Sequence, residues 1–494
     1  MALVQNAQDV PVFSGGSIDP KARRSVTRTR SQHGILEAKD PNVSIDPPQT
    51  PPANQTAAVS LTEVKAICKS SKDLYDGKLQ KVLDLAENNY KHTLEKAEII
   101  MPRTYADPSP VYQHHVYADR FPALHSLHIA GLFPSAATMR TFRHLRHLRL
   151  YSLYRKLYGN LMSLNDFINV LGTWTQLEEL ELRGYFPALS FKQGDAQPPI
   201  VPLPNLRKLT VADVPQFFAV LLPCLRLQPT AEVHLISQHH HPAYPATYND
   251  IFWPFTFNGR GNKFPVLNEV VEVAITTANP EEGTEDYALR IIGHGARGGS
   301  FTLDIRSAAS FSPAPDSEFR RSAVDWALQA APILFPSGAR MRTLRCTANL
   351  RMVQEKSWIP VFLGYPALEE LVVDGGVTAD LGRLFAALGG PVRETNVVCQ
   401  RLRRVAVRDA LYTPKFMDQV ARCFHQRQYN SNRAAARTAL QLGLLVCDYP
   451  YPPEHQGLHV AKLKELGVDA EIFVESPWDF MRVLSKYLPP DEES

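Results

Sequence analysis

The chain has 494 residues, of which 44% are hydrophobic and 21% charged, the composition of a folded globular protein. Its 53 Lys and Arg against 50 Asp and Glu leave a net charge of +3, which excludes a large field that would attract nucleic acid or an acidic membrane. Its six cysteines are scattered without a C-x-x-C pair, which predicts reduced thiols and no structural disulfide.

Residues 1–60 are rich in Ser, Thr, Pro, Gln and Asn, and this composition predicts a disordered tail. A basic cluster between Lys21 and Arg30 is interpreted as part of that solvated tail, with a nuclear import or phosphate-contacting patch as the alternative. The N-terminus lacks the apolar stretch of a secretion signal, and no later stretch is apolar enough to span a membrane. We therefore expect a cytoplasmic or nuclear protein, or both, without a membrane partner.

Residues 61–102 change character, because apolar residues from Leu79 to Ala97 recur at three- and four-residue steps among charged residues. This pattern predicts an amphipathic helix that ends at Pro102. Since stacked repeats need a polar-faced terminal unit, we interpret 61–102 as a helix that caps the first repeat. A helix that binds a partner is the alternative.

A phrase of the form L-x-x-L-x-L, with conservative replacements, returns seven times after Pro102. The copies cover residues 121–129, 142–150, 177–182, 204–211, 341–346, 365–373 and 402–407. On a strand, the last two apolar residues of each phrase share one face and enter the core. Except across the central gap between 204–211 and 341–346, neighbouring copies lie roughly 21 to 34 residues apart, a spacing typical of stacked leucine-rich repeats.

Helix-like segments alternate with these phrases, at residues 163–171, 317–331, 379–388 and 414–428. The predicted fold is therefore α/β, an irregular leucine-rich-repeat solenoid over residues 103–488 with parallel strands on its concave face and helices on its convex face. Its centre, 229–338, lacks clean phrases and is interpreted as degenerate repeats with long loops. A C-terminal cap includes 470–475 and a helix at 478–487, and residues 489–494 form an acidic tail.

Two segments resemble possible nucleotide-binding or metal-binding sites. The six residues from Gly293 to Gly298 have the spacing G-x-G-x-x-G, but the next residues alternate like a strand, so a hairpin loop is favoured over a nucleotide site. His239, His240 and His241 are interpreted as an exposed loop, because no acidic or cysteine ligand stands nearby at metal-binding spacing. We predict no catalytic site, no metal and no cofactor, and an enzyme using the loops near Gly293 or His240 is the rival hypothesis.

The residues that alternate with the core leucines are predicted to point outwards from the concave face. Those chosen as candidate partner contacts are His147, Arg149, Tyr151, Glu179, Glu181, Arg183, Lys208, Arg345, Glu370, Asp374, Arg404 and Arg408. One interpretation is that these charges pair across neighbouring strands and with water. The other is that they form a polar groove for a protein segment, since such faces commonly bind partners.

The F-P-x-L-x-x-L-x-L copies and long irregular spacers of 117–407 resemble fungal F-box/leucine-rich-repeat proteins, especially the large basidiomycete set. This resemblance implies that the repeats hold a protein target, while an N-terminal F-box binds the Skp adaptor of a cullin ubiquitin ligase. No F-box is recognisable before Tyr117, so the resemblance covers the repeats alone. The expected function is non-catalytic protein recognition, with substrate recognition for such a ligase or a scaffold without an F-box as its two forms.

Overall fold

The computed structural model describes most of the chain between Thr62 and Val474. The described residues are 62–67, 78–100, 118–131, 134–151, 162–184, 189–190, 199–238, 252, 265–277, 289–306, 318–348, 350, 353–375, 380–390, 398–411, 413–431, 440–447 and 453–474. They belong to one unit, Ser60–Ser494. The predicted tails at 1–60 and 489–494, the histidines at 239–241 and the helix predicted at 478–487 lie outside the described residues.

A sheet of fifteen strands runs through the described residues, and the fold is α/β. Its strands, in spatial order, are β1 (Glu63–Ile67), β2 (Lys96–Ile100), β3 (Ser126–Ala130), β4 (His147–Tyr151), β6 (Glu179–Arg183), β9 (Lys208–Asp213), β11 (Glu232–Gln238), β14 (Ser300–Arg306), β13 (Leu289–Gly295), β12 (Val270–Thr277), β15 (Thr343–Thr347), β16 (Glu370–Asp374), β17 (Arg404–Leu411), β18 (Leu440–Cys447) and β19 (Val468–Val474). Two short parallel pairs stand apart from it, β5 (Met162–Ser163) with β7 (Leu189–Ser190) and β8 (Val201–Pro202) with β10 (Leu225–Arg226).

Helices connect many of these strands. They are α1 (Lys78–Tyr90), α2 (Ala136–Arg140), α3 (Leu164–Leu171), α4 (Pro215–Leu221), α5 (Pro265–Asn268), α6 (Glu318–Leu334), α7 (Glu355–Gly364), α8 (Gly382–Gly389), α9 (Pro414–Ser431) and α10 (Pro453–Glu465). Single 3-10 turns occur at Ala118–Arg120, Thr141–His144 and Leu222–Cys224. The helices predicted at 163–171, 317–331, 379–388 and 414–428 are therefore confirmed as α3, α6, α8 and α9.

Each of the seven repeated phrases forms a strand, and its apolar residues enter the core as predicted. In β4, Leu148 and Leu150 are buried, while Leu145 is buried immediately before the strand. The helices supply the other side of this core. In α3, for example, Ser163 caps the first turn by accepting a hydrogen bond from the Asp166 backbone N–H, which fixes the start of the helix. Apolar residues of one helix face therefore meet the leucine face of the sheet, where their burial stabilises both layers.

A buried tryptophan ties the helical layer to the repeats. Trp174 is fully buried beside Phe142, with 6.2 Å between the ring centroids. Its indole N–H donates to the carbonyl oxygen of Met139 at 2.9 Å. This hydrogen bond satisfies the one polar atom of a large apolar side chain, so the ring can be buried without an unpaired donor.

The prediction of one helix across 61–102 is wrong. The segment contains β1, then α1, then β2, which pairs in parallel with both β1 and β3. Beyond Tyr90 the apparent helical spacing comes from a strand, because Ala97 and Ile99 bury one face of β2 while Lys96 and Glu98 lie on the other, and Leu94 is buried just before the strand begins. Sheet hydrogen bonds with β3 outweigh the weak helical periodicity. A capping role for this segment stays a prediction.

The centre of the sheet departs from the predicted run of parallel repeats. The described strands in this region are β11, β12, β13 and β14, and β13 runs antiparallel to β12 and β14. The turn between β13 and β14 is closed by a hydrogen bond from the Gly295 N–H to the Gly299 carbonyl at 2.8 Å, and Gly298 has a φ of 84°. A connection this short permits only a hairpin, since parallel strands need a long crossover.

Within the described residues, no helix is long and apolar enough to cross a membrane.

Candidate functional site

One face of the sheet carries polar side chains, and we call it the open face. Because side chains alternate along a strand, the positions between the buried leucines all emerge on this side. In β4, for example, Arg149 is exposed between buried Leu148 and Leu150. All twelve predicted contact residues lie on the open face, at alternating positions of β4, β6, β9, β15, β16 and β17. Their role as partner contacts stays a prediction.

Parallel pairing without a register shift aligns these residues in rows across the strands. One row runs through Lys65, Glu98, His128, Arg149 and Glu181 on five neighbouring strands. Lys65 Nζ lies 2.6 Å from Glu98 Oε2, and His128 Nδ1 lies 3.1 Å from Glu98 Oε1. The hydrogen bond from Lys65 lowers the pKa of Glu98, with a smaller contribution from His128. Burial lowers the pKa of His128 despite that carboxylate, so its ring is neutral near pH 7.

Glu181 is the centre of a compact polar group in the first half of the sheet. Arg183 Nε donates to Glu181 Oε1 at 2.7 Å, and Arg149 Nε lies 3.5 Å from Glu181 Oε2. The Arg183 guanidinium also stacks over the Tyr151 ring, 4.8 Å from its centroid. Burial raises the pKa of Tyr151 to about 12, and its hydrogen bond with Glu181 acts in the same direction. Glu181 is thus compensated by two guanidinium groups and a tyrosine hydroxyl.

A pocket of about 230 Å³ opens next to this group, between β4 and β11. Its lining includes six predicted contact residues together with Thr210, His234 and Ile236; the six are His147, Arg149, Glu179, Glu181, Arg183 and Lys208. The exposed ammonium of Lys208 makes no ion pair within the described residues. The structure therefore brings half of the predicted contact residues together in one concavity.

The wall of this pocket rests on a buried carboxylate that the sequence did not reveal. Asp304 is 4% exposed and accepts hydrogen bonds from Arg290 Nε at 2.6 Å, from Arg290 Nη2 at 2.9 Å and from His234 Nε2 at 2.8 Å. Burial alone would raise the pKa of Asp304, but the hydrogen bonds from Arg290 and His234 outweigh it and lower that pKa. The ionised carboxylate fixes the orientation of the His234 ring at the pocket.

The other predicted contacts form a second group on β15 to β17. Arg345 Nε lies 3.0 Å from Glu272 Oε1, and Arg408 Nη1 lies 3.6 Å from Asp374 Oδ2. Burial raises the pKa of Glu370, and the positive charges of Arg345 and Arg404 offset this only in part. Three strands, β14, β13 and β12, separate β15 to β17 from the pocket, so the structure divides the predicted contacts into two sets.

The geometry confirms that open-face charges pair across neighbouring strands, as one interpretation of the sequence held. Sequence reasoning missed Glu98, His128, His234, Arg290 and Asp304. The first four alternate with buried residues in their strands and could have been placed by that pattern. The same alternation places Asp304 on the open face between buried Leu303 and Ile305, but its burial could not be predicted because it depends on Arg290 and His234 from other strands.

The described residues offer little for catalysis. They contain no cluster of three potential metal ligands. Burial raises the pKa values of Cys346, Cys399 and Cys423 to about 12, so these thiols are protonated and poorly nucleophilic. The segment Gly293–Gly298 lies in the β13–β14 hairpin, where no helix N-terminus stands ready for a phosphate.

Comparisons with known proteins leave the family open. No family model matches the sequence, and no curated protein is similar to it at a significant level. Among solved structures, the chain is similar to an internalin from Listeria monocytogenes, with 12% identity over 78% of this chain and 82% of that chain and a TM-score of 0.23. A similarity with so low a TM-score supports no conclusion about fold or function.

Proposed function

We propose that the chain is a non-catalytic recognition protein that binds a polypeptide on the open face. The observation that carries this proposal is the arrangement of that face, where paired polar side chains and a pocket stand opposite a face buried by helices. Rows of paired charges hold the side chains in place, so a partner meets an ordered surface and little side-chain freedom is lost on binding. The proposal includes a leucine-rich-repeat solenoid whose concave side is the open face.

In its more specific form, the proposed role is to hold substrates for a cullin ubiquitin ligase through the Skp adaptor, as the resemblance to F-box/leucine-rich-repeat proteins implies. Helix α1 supports this form, because Val82 and Leu85 are 38% and 54% exposed on it, next to the buried Leu83 and Ala86. Two exposed aliphatic side chains on one helix suit an adaptor contact. The alternative is a repeat scaffold without that connection, acting in the cytoplasm or nucleus.

The enzyme hypothesis has less support. Its nucleotide-binding form needs a helix after Gly298, and the residues there form β14. The loop around His240 lies outside the described residues. Recognition of a polypeptide by the open face requires only side chains that the structure describes. We therefore favour recognition over catalysis.

Site-specific photo-cross-linking in the native cell tests the recognition proposal. A photoreactive amino acid is placed at Glu179 or Glu232 on the open face, which flank Lys208 in the register, or at the control positions Arg143 and Arg422, which are exposed in helical segments. We expect the same cross-linked polypeptide from both open-face positions and from neither control. Equal cross-linking at all four positions, or none at the open face, would contradict the proposal.

Co-purification with the Skp adaptor and a cullin tests the ligase form. Full-length protein is compared with the double variant Val82→Asp and Leu85→Asp, and with Lys81→Asp as a control for added negative charge on the same exposed helix. We expect recovery of both ligase subunits with the wild type and the control, and a loss with the double variant. No recovery with any of the three would exclude the ligase form and leave the scaffold.

A further inference from the structure

The pocket on the open face holds more positive than negative groups that remain available to a ligand. Arg149, Arg183 and Lys208 face two carboxylates, Glu179 and Glu181. Glu181 is only 16% exposed and is already bound by both arginines. Glu179 is part-exposed and stands opposite Lys208 in the register, so the three cations face two carboxylates and leave the pocket a net formal charge of +1.

Arg149 and Lys208 are the two pocket cations that interact least with the rest of the protein, and they lie on different strands. The Arg149 side chain is 56% exposed, and its Nε lies 3.5 Å from the Glu181 carboxylate, beyond strong hydrogen-bond range. Lys208 is exposed on β9, two strands away from β4 in the sheet. The register aligns Arg149 with Thr210 across β6, so Lys208 is offset by two residues along its strand. With about 4.8 Å between strands and about 3.3 Å per residue, these long side chains begin about 12 Å apart and can converge on one group between them.

His147 and His234 line the same pocket, and each supplies a further ring nitrogen. The Asp304 carboxylate accepts from His234 Nε2, which holds that ring in place at the pocket. The apolar lining consists of Leu148, Leu180 and Ile236, all of them buried. Basic groups around a partly apolar concavity are the usual setting for an anionic side chain, because charge-assisted hydrogen bonds gain strength where water is reduced.

We propose that this pocket anchors the bound polypeptide by one anionic side chain, held between Arg149 and Lys208. This inference rests on the proposed function and specifies the partner's chemistry. The anion is a carboxylate or a phosphate group on a side chain of the partner, since both suit a guanidinium and an ammonium at this separation. Glu181 accepts a hydrogen bond from Arg183 and lies beside the Arg149 guanidinium, so this pair helps to position Arg149.

A peptide selection tests the proposal. Random dodecapeptides displayed on phage are selected on the full-length protein, and the enriched peptides are synthesised with Glu, phosphoserine, Gln or Lys at each acidic position. We expect an enriched acidic position at which Glu or phosphoserine binds at least about tenfold more tightly than Gln, the value of one charge-assisted hydrogen bond. The comparison of Glu with phosphoserine distinguishes the two sources of the anion.

Matched variants locate the binding. The double variant Arg149→Gln and Lys208→Gln should weaken the acidic peptide at least about tenfold. Arg143→Gln with Arg422→Gln removes the same charge from the helical side and should leave its affinity unchanged. Peptides that cross-link to the open face but have no acidic preference would overturn the pocket proposal and leave the proposed function standing. Failure to select any peptide that is sensitive to open-face variants would overturn both.

Discussion

Replacement of Asp304 by asparagine is the sharpest test of the polar structure beneath the pocket. The substitution keeps the shape of the side chain and removes its charge, so the three hydrogen bonds from Arg290 and His234 lose their ionised acceptor. Removal of one partner from a fully buried ion pair costs about 3–5 kcal/mol. The partner side chains are 32% and 35% exposed, so water can reach them after the change. We therefore expect a smaller loss, about 2–3 kcal/mol of unfolding free energy.

Urea unfolding followed by circular dichroism measures this loss. Asp469→Asn is the matched control, because Asp469 is exposed on β19 and loses the same charge with an expected change within about 0.5 kcal/mol. A double-mutant cycle with Arg290→Gln isolates the interaction between the two side chains, which should couple by about 1.5 kcal/mol or more. A loss for Asp304→Asn no larger than that of the control, or a coupling near zero, would refute the assignment of Asp304 as an ionised buried anchor.

The pH dependence of the same variant supplies an independent check. The pKa of Asp304 is lowered below its ordinary value of 3.8 in the folded protein, so its ionisation stabilises the fold at every pH above that value. The stability difference between the wild type and Asp304→Asn should therefore be fully present at about pH 5. Below that pH it should shrink as the pH falls through the unfolded and then the folded pKa of Asp304. A difference that grows as the pH falls from about 5 to about 3 would contradict the sign of this shift.

Three further predictions concern the core, the central hairpin and the thiols. Trp174→Phe replaces the buried indole by a smaller ring and removes its hydrogen bond, so the unfolding free energy measured in urea should fall by about 2–3 kcal/mol. An unchanged unfolding midpoint would contradict the packing described. Gly298→Ala forces a side chain to a φ of 84° and should destabilise the fold by about 1 kcal/mol, while Gly457→Ala, in helix α10 with open space around it, should be neutral or stabilising. Cys346 and Cys423, whose thiol pKa values lie at about 12, should react with a thiol reagent at pH 8 only after denaturation, and fast labelling of the folded protein would show that they are accessible.

The amino-acid sequence by itself determined most of the repeating elements. The spacing L-x-x-L-x-L places Leu148 and Leu150 on one side of a strand and Arg149 on the other, and this depends only on the two-residue period of a strand. The start of α3 was equally local, because Ser163 caps the helix through a hydrogen bond three residues along the chain. The hairpin after Gly293 followed from the glycines and from the alternation of the next residues.

Tertiary structure decided what depends on contacts between distant residues. Whether Ala97 belonged to a helix or a strand was settled by hydrogen bonds of β2 with β1 and β3, which local spacing does not encode. The pairing of β13 with β12 on its other side was likewise decided by contacts between strands.

The pocket itself was beyond the reach of a reading along the chain. The buried charge of Asp304 depends on His234, which lies 70 positions away in sequence, and the pocket collects residues from four strands. A repeat pattern specifies which side chains emerge on a face, because that is a local property of each strand. The fold determines which of these side chains converge on a pocket and which form ion pairs, because both depend on separate strands lying side by side.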